Sequence, residues 1–180
     1  MLKSVYRVDF EYDNEMHPGT LETYKQDETQ TLQYLLTRVS LNLPSGTILM
    51  IPDKDLVLQP WFVFWLESIK ASGYNRYIVL KMTHQITWRD RDGNMQTSWC
   101  YLHGSSDSAL KETLKAVGAM YAENDNNRFV IMPLNENIRK EDYIEVGEGK
   151  LKEAYRVTGY DIHTTPGVEY VTLNPMYIKD

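Results

Sequence analysis

Pro60-Trp61-Phe62-Val63, then Ser72-Gly73-Tyr74, then Tyr77-Ile78-Val79-Leu80 decide how this chain is read, because the pattern is written twice. It returns as Ala154-Tyr155-Arg156-Val157, Pro166-Gly167 and Tyr170-Val171-Thr172-Leu173. A short apolar run precedes each copy, Leu49-Met50-Ile51 after Ser45-Gly46-Thr47, and Tyr143-Ile144-Glu145-Val146 after Lys140-Glu141-Asp142. The aromatics Trp61 and Tyr155 stand 94 residues apart, and the spacing falls by about one after the glycine turn. What repeats is a scaffold of strands and turns rather than a set of polar atoms. A repeated β module of this kind predicts assemblies and interfaces more than an active site.

Composition narrows the class. With 180 residues, the chain suits one ordinary domain or two small β modules. A hydrophobic share of 42% is enough to fill a core, and the 24% charged residues match a globular protein in water. Net charge is −6, and Lys and Arg are scattered, which argues against affinity built on neutralising phosphates. Cys100 is the single cysteine, so an intrachain disulfide and a cysteine metal cage are both excluded. Met1 to Val5 opens no long apolar run, and no stretch approaches the ~18 apolar residues of a membrane span. The expectation is a soluble protein made inside the cell, with no membrane partner.

Outward from the repeat, Tyr6 to Tyr12 reads as a short strand and Met16-His17-Pro18-Gly19 as a polar loop. Leu32, Leu35, Leu36, Val39 and Leu43 fall at helical spacing before Pro44-Ser45-Gly46, which predicts an amphipathic helix. Arg76 to Trp88 reads as one long strand, spanning roughly 40 Å at ~3.3 Å per residue. The Asp-Gly turn in Asp90-Arg91-Asp92-Gly93-Asn94 returns the chain along Gln96 to Leu102. Part of this hairpin is expected to project from the body. Leu110, Leu114, Val117 and Tyr121 follow N-cap candidates at Ser105 to Ser108 and predict a second helix. The resulting divisions are 1–44 (N-terminal strand and helix), 45–104 (first β module with the long hairpin), 105–127 (helix and connecting loop) and 128–180 (second β module). The fold class is mainly β with one or two short helices, in two small β-barrel or sheet modules.

Chemistry is sparse. None of His17, His84, His103 and His163 stands at metal-ligand spacing from another. His84 reads as a hydrogen-bonded core histidine and His163 as a turn residue. Gly147-Glu148-Gly149-Lys150 lacks the Ser/Thr and helix of a phosphate loop and reads as a hairpin tip. Cys100 reads as a buried, inert thiol, and Glu141, Asp142, Glu145 and Glu148 as a solvated acidic face. No nucleophile–base or metal constellation emerges, so no enzyme, cofactor or metal is expected. Two sets of interface candidates remain. One is the hairpin tip Arg89, Asp90, Arg91, Asp92, Gly93 and Asn94. The other comprises the aromatic anchors Trp61, Trp65, Trp88 and Trp99, since Trp is enriched in interfaces although it is also a core residue.

Taken in order, several segments resemble a family of tailed-bacteriophage neck proteins. They are Pro60-Trp61-Phe62-Val63, Ala71-Ser72-Gly73-Tyr74-Asn75-Arg76-Tyr77 and Met82-Thr83-His84-Gln85-Ile86-Thr87-Trp88, followed by Tyr155-Arg156-Val157-Thr158-Gly159-Tyr160-Asp161 with Thr165-Pro166-Gly167-Val168. The resemblance covers residues 45 to 180. It implies a non-enzymatic head-tail connector or head-closure (stopper-like) protein of the virion, made in the host cytoplasm. Such a protein forms a homo-oligomeric ring between portal or adaptor and tail proteins and helps retain DNA, with passing contact to it. Edge pairing of β modules would supply the ring contacts. The alternatives are a tail-completion or tail-terminator subunit, and an OB-like single-strand nucleic-acid module stacking bases on Trp88, Trp99 and Tyr101.

Overall fold

The computed structural model describes residues 5–24, 31–70, 73–103, 112, 128–135, 137–147 and 152–176. The chain divides between Met82 and Thr83 into two units, and each is a closed barrel of six strands. The first contains β1 (Val5–Tyr12), β2 (Glu15–Thr23), β3 (Leu32–Arg38), β4 (Ile48–Pro52), β5 (Leu58–Lys70) and β6 (Tyr74–Lys81), ordered β1-β2-β3-β6-β5-β4. The second contains β7 (His84–Arg89), β8 (Met95–Leu102), β9 (Arg128–Pro133), β10 (Tyr143–Val146), β11 (Glu153–Asp161) and β12 (Val168–Pro175), ordered β10-β11-β12-β9-β8-β7. Counted from the first strand of each unit, these orders are the same. All ladders are antiparallel. The mainly β fold with two small barrel modules is therefore what the repeat implies.

The likeness extends to register. Trp61 faces Lys81 and Val63 faces Val79 across β5–β6; 94 residues on, Tyr155 faces Pro175 and Val157 faces Leu173. One residue is then skipped in each long strand, Phe64 in one barrel and Thr158 in the other, and pairing resumes as Trp65 with Ile78 and Gly159 with Thr172. The spacing of 94 thus holds through the closing strand. Matching Tyr77 to Tyr170 by aromatic identity is one residue out: Tyr77 corresponds to Val171, and both lie in a barrel core.

Because alternate residues point inward, each barrel presents one side of every strand to its core. Phe10, Leu21, Leu35, Leu49, Val63 and Val79 fill the first, and Ile86, Leu102, Val130, Ile144, Val157 and Leu173 take the corresponding places in the second. Leu43 closes one end of the first barrel and Ile138, 95 residues on, that of the second; both are 2% exposed. A buried polar residue ties down the loop carrying each plug. In the first barrel, Asn75 Nδ2 donates to the carbonyls of Val39 (3.4 Å) and Leu41 (3.1 Å) and to the Tyr77 hydroxyl (3.1 Å). Tyr77 in turn donates to Leu41 O and accepts the Leu43 N–H. In the second, the position equivalent to Asn75 is Glu169, whose Oε2 accepts the Asn135 N–H at 3.0 Å.

Five expectations are corrected. Residues 32–38 form a strand, not a helix: Leu32, Gln33, Tyr34, Leu35 and Thr37 are all buried, so both faces are covered. A continuous buried run does not distinguish helix from strand, and pairing with β2 and β6 decides it. Met16 to Gly19 lies within β2, joined to β1 by the two-residue turn Asp13-Asn14 with both residues at positive φ (54° and 60°). Arg76 to Trp88 is not one strand. The Lys81 and Met82 N–H groups bond Thr31 O and Pro60 O, whereas the Thr83 N–H bonds Cys100 O, so the ladder changes between Met82 and Thr83. The boundary at 44 therefore cuts the first barrel, and 45–104 joins half of one barrel to a third of the next. The outgoing strand of the hairpin does not span 40 Å, because β7 begins at His84; β7 pairs with β10 and the end of β8 pairs with β9. The helix expected after Ser105 and the tip Glu148–Lys150 lie outside the described residues, apart from helical Glu112.

Candidate functional site

The tip Arg89–Asn94 is built around one carboxylate. Asp90 Oδ1 accepts the N–H groups of Asp92 (3.0 Å) and Asn94 (2.8 Å), and Oδ2 accepts Gln96 Nε2 at 2.7 Å. The Gln96 hydrogen bond leads the interactions that hold this carboxyl below the usual aspartate range. Gly93 takes positive φ, 83°, and Arg89 Nη1 closes the turn on the Gly93 carbonyl at 3.1 Å. Arg91 and Asp92 are exposed, and neither side chain holds the turn.

The same turn occurs in the first barrel. Asp53 Oδ1 accepts the N–H groups of Asp55 (2.9 Å) and Val57 (3.0 Å), and Oδ2 accepts Gln59 Nε2 at 3.3 Å. The place of Gly93 is taken by Leu56, at φ 62° and 83% exposed. Asp-x-Asp-x-x-x-Gln, present at 53–59 and at 90–96, was a legible signal for this second loop.

The four tryptophans separate. Trp61 (6% exposed) and Trp88 (2%) belong to barrel cores, and Trp61 also lines the mouth of the first barrel. Tyr101 is 5% exposed, so the stacking platform expected of Trp88, Trp99 and Tyr101 is not formed. Trp65, packed on Phe64 at 4.4 Å between ring centroids, and Trp99 are half-buried.

Opposite the plugged ends lie two corresponding mouths. In the second barrel, Arg128, Glu153 and Tyr155 line a mouth of about 640 Å³ and form a mutual network: Arg128 Nη1 donates to Glu153 Oε2 and to the Tyr155 hydroxyl, which donates to Glu153 Oε2. The Tyr155 bond is the foremost influence holding the Glu153 carboxyl low, and burial is the foremost one raising the Tyr155 phenol. In the first barrel the equivalent positions are Gln33, Gln59 and Trp61, and the mouth is a cavity of about 780 Å³. Tyr6 donates to Gln33 Oε1 there at 3.2 Å. Nothing in the order of residues marked these mouths, because each draws on four or more strands.

No group of three His, Cys, Asp or Glu side chains able to hold a metal occurs among the described residues. His84 is partly exposed, its Nδ1 2.8 Å from Thr83 Oγ1, and burial holds its pKa down. The His163 N–H bonds Asp161 Oδ1 at 2.8 Å, a turn role. Cys100 is fully buried, which pushes its thiol far up.

No protein-family model matches the chain, and no curated protein does. Two solved structures of MrkH from K. pneumonia are similar, one of its apo state and one of a further crystal. They share 8% and 7% identity with this chain at TM-scores of 0.32 and 0.31, over 95% of this chain and 78% of theirs, a likeness too slight to bear on function.

Proposed function

We propose that the chain is a non-catalytic structural subunit of a tailed-bacteriophage neck, one member of a homo-oligomeric ring seated between portal or adaptor and tail proteins in the virion. The observation that carries the structural part is the use made of its polar groups. The barrel interiors are apolar, and the strongest polar clusters (Asp53, Asp90, Asn75 and Arg128–Glu153–Tyr155) hold loops and mouths of the chain's own fold. Recognition is left to outer faces and loops. The neck assignment rests on the ordered motifs of residues 45 to 180, most of which fall on β5, β6, β7, β11 and β12. Ring contacts made by closed barrels would come chiefly from faces and tips such as Arg91-Asp92, because closure removes most free strand edges.

Mixing the protein with the portal complex encoded in the same genome, followed by negative-stain imaging, tests this. Added ring density on the portal is expected, and Arg91→Ser with Asp92→Ser should reduce it without loss of folding. A monomer that leaves the portal bare and binds single-stranded DNA with a steep salt dependence would sink the neck reading.

A further inference from the structure

Both barrels are closed, but the ladders that close them differ in length. In the second, β7 and β10 pair over three residues, Ile86, Thr87 and Trp88 with Val146, Glu145 and Ile144. In the first, β1 and β4 meet at one pair, Glu11 with Met50. From Val5 to Phe10, β1 is paired on its β2 side alone, so its other edge has no ladder partner among the described residues. The 780 Å³ cavity opens at this seam, with β1 on one side and the Asp53–Leu58 loop on the other.

Two residues make the seam more than a frayed edge. Leu56 occupies a left-handed backbone conformation that costs a branched residue about 1 kcal/mol, and the matching turn spends a glycine there. Despite that cost its side chain is 83% exposed, beside Leu58 at 41% and Met16 at 58%, all three on the cavity rim. Strain combined with exposed apolar surface makes Leu56 a candidate contact for a partner. The second residue is Lys81. Among strand residues facing inward at this mouth it is the charged one, and its ammonium has no ion pair among the described residues. In the second barrel the same region carries its own carboxylate, Glu153, held by Arg128.

We propose that the unpaired stretch of β1, beside the mouth of the first barrel, binds an extended segment of a partner protein as an added strand. Its backbone pairs with Val5–Phe10, its apolar side chains cover Trp61 and Leu56, and an acidic side chain reaches Lys81. Alternation of apolar and acidic residues is the required chemistry, because successive side chains of a strand face opposite ways. The proposal rests on the seam and is independent of the neck assignment.

The test uses the full chain and two blocked pentapeptides, one alternating valine with glutamate and one alternating valine with lysine. Amide hydrogen exchange is followed at Val5–Phe10 and, as internal control, at Ile86–Trp88. Saturable slowing confined to the β1 amides is expected with the glutamate peptide, with about tenfold weaker binding of the lysine peptide. Lys81→Gln should erase that preference. Leu56→Gly should weaken binding while raising thermal stability, which separates a contact role from a folding one. The idea fails if neither peptide slows the β1 amides, if both barrels respond alike, or if the two peptides bind equally. Glutamate-peptide binding without β1 protection would reduce the site to a carboxylate pocket and overturn strand addition. Concentration-dependent β1 protection in the peptide-free protein would make the occupant a second copy of the chain, with the same consequence.

Discussion

Leu56 shows what the sequence could and could not disclose about single residues. The Asp-x-Asp-x-x-x-Gln spacing at 53–59 and 90–96 is plain in the chain, and Gly93 announces the left-handed position. Leu56 hides it, since a branched side chain is the wrong residue for positive φ. Leu56→Gly is therefore expected to stabilise the protein by about 0.5–1 kcal/mol, read as a rise in the denaturant midpoint at unchanged slope. A neutral or destabilising result would mean that the exposed side chain packs in the free protein. Asn75 was equally hidden, because an Asn beside a glycine turn reads as turn chemistry. It is 5% exposed and feeds two carbonyls and a buried phenol. Asn75→Ala should cost about 2–3 kcal/mol by chemical denaturation, because those acceptors stay buried without a donor.

At the scale of elements, strands buried on both faces were readable where a glycine turn bounds them, as at Tyr77–Leu80 and Tyr170–Leu173, and β3, which has no such mark, was not. β1 and β10 carry alternation, and their ranges emerged from it; β7 alternates too, but in the sequence it runs on from β6 without a break. Leu32 to Thr37 carries none: barrel core takes Leu35 on one side, while Leu32 and Tyr34 are buried on the other. Its leucines then fall at 3.6-residue spacing by accident, and only partners in β2 and β6, distant in sequence, turn them into a strand. Gly19 in β2 illustrates the same dependence on partners. A Cβ there would lie 3.0 Å from both Leu35 Cδ1 and Phe10 Cε1. Gly19→Ala is expected to cost about 1–3 kcal/mol through crowding of the first core. Melting that is unchanged would show that the two side chains yield freely.

The whole molecule is one barrel written twice, and its informative position is where the copies chose different chemistry for the same task. The plug loop of the first barrel is held by the neutral amide of Asn75; that of the second is held by the carboxyl of Glu169, 1% exposed, with Oε1 unpartnered among the described residues. Burial pushes the Glu169 pKa up to about 7, against an ordinary glutamate value near 4.5, while the Asn135 N–H pulls weakly the other way. Between those values the folded state holds a proton that the unfolded chain has released, so the contribution is greatest below about 4.5 and is lost as pH rises through about 7. At about 1.4 kcal/mol per pKa unit, the second barrel should lose up to about 3 kcal/mol over that window. Glu169→Gln keeps an acceptor for the Asn135 N–H and should flatten the dependence. Cys100, fully buried in the same core, supplies the readout, since a thiol reagent reaches it only when that barrel opens. Labelling should accelerate between pH 5 and pH 8 beyond the intrinsic gain in thiolate, and Glu169→Gln should remove the excess. Amide exchange at Tyr77 and Val79, in the barrel latched by Asn75, should show only the intrinsic pH dependence. Equal labelling of wild type and Glu169→Gln at pH 8 would refute a charged, uncompensated Glu169 and leave the two latches equivalent.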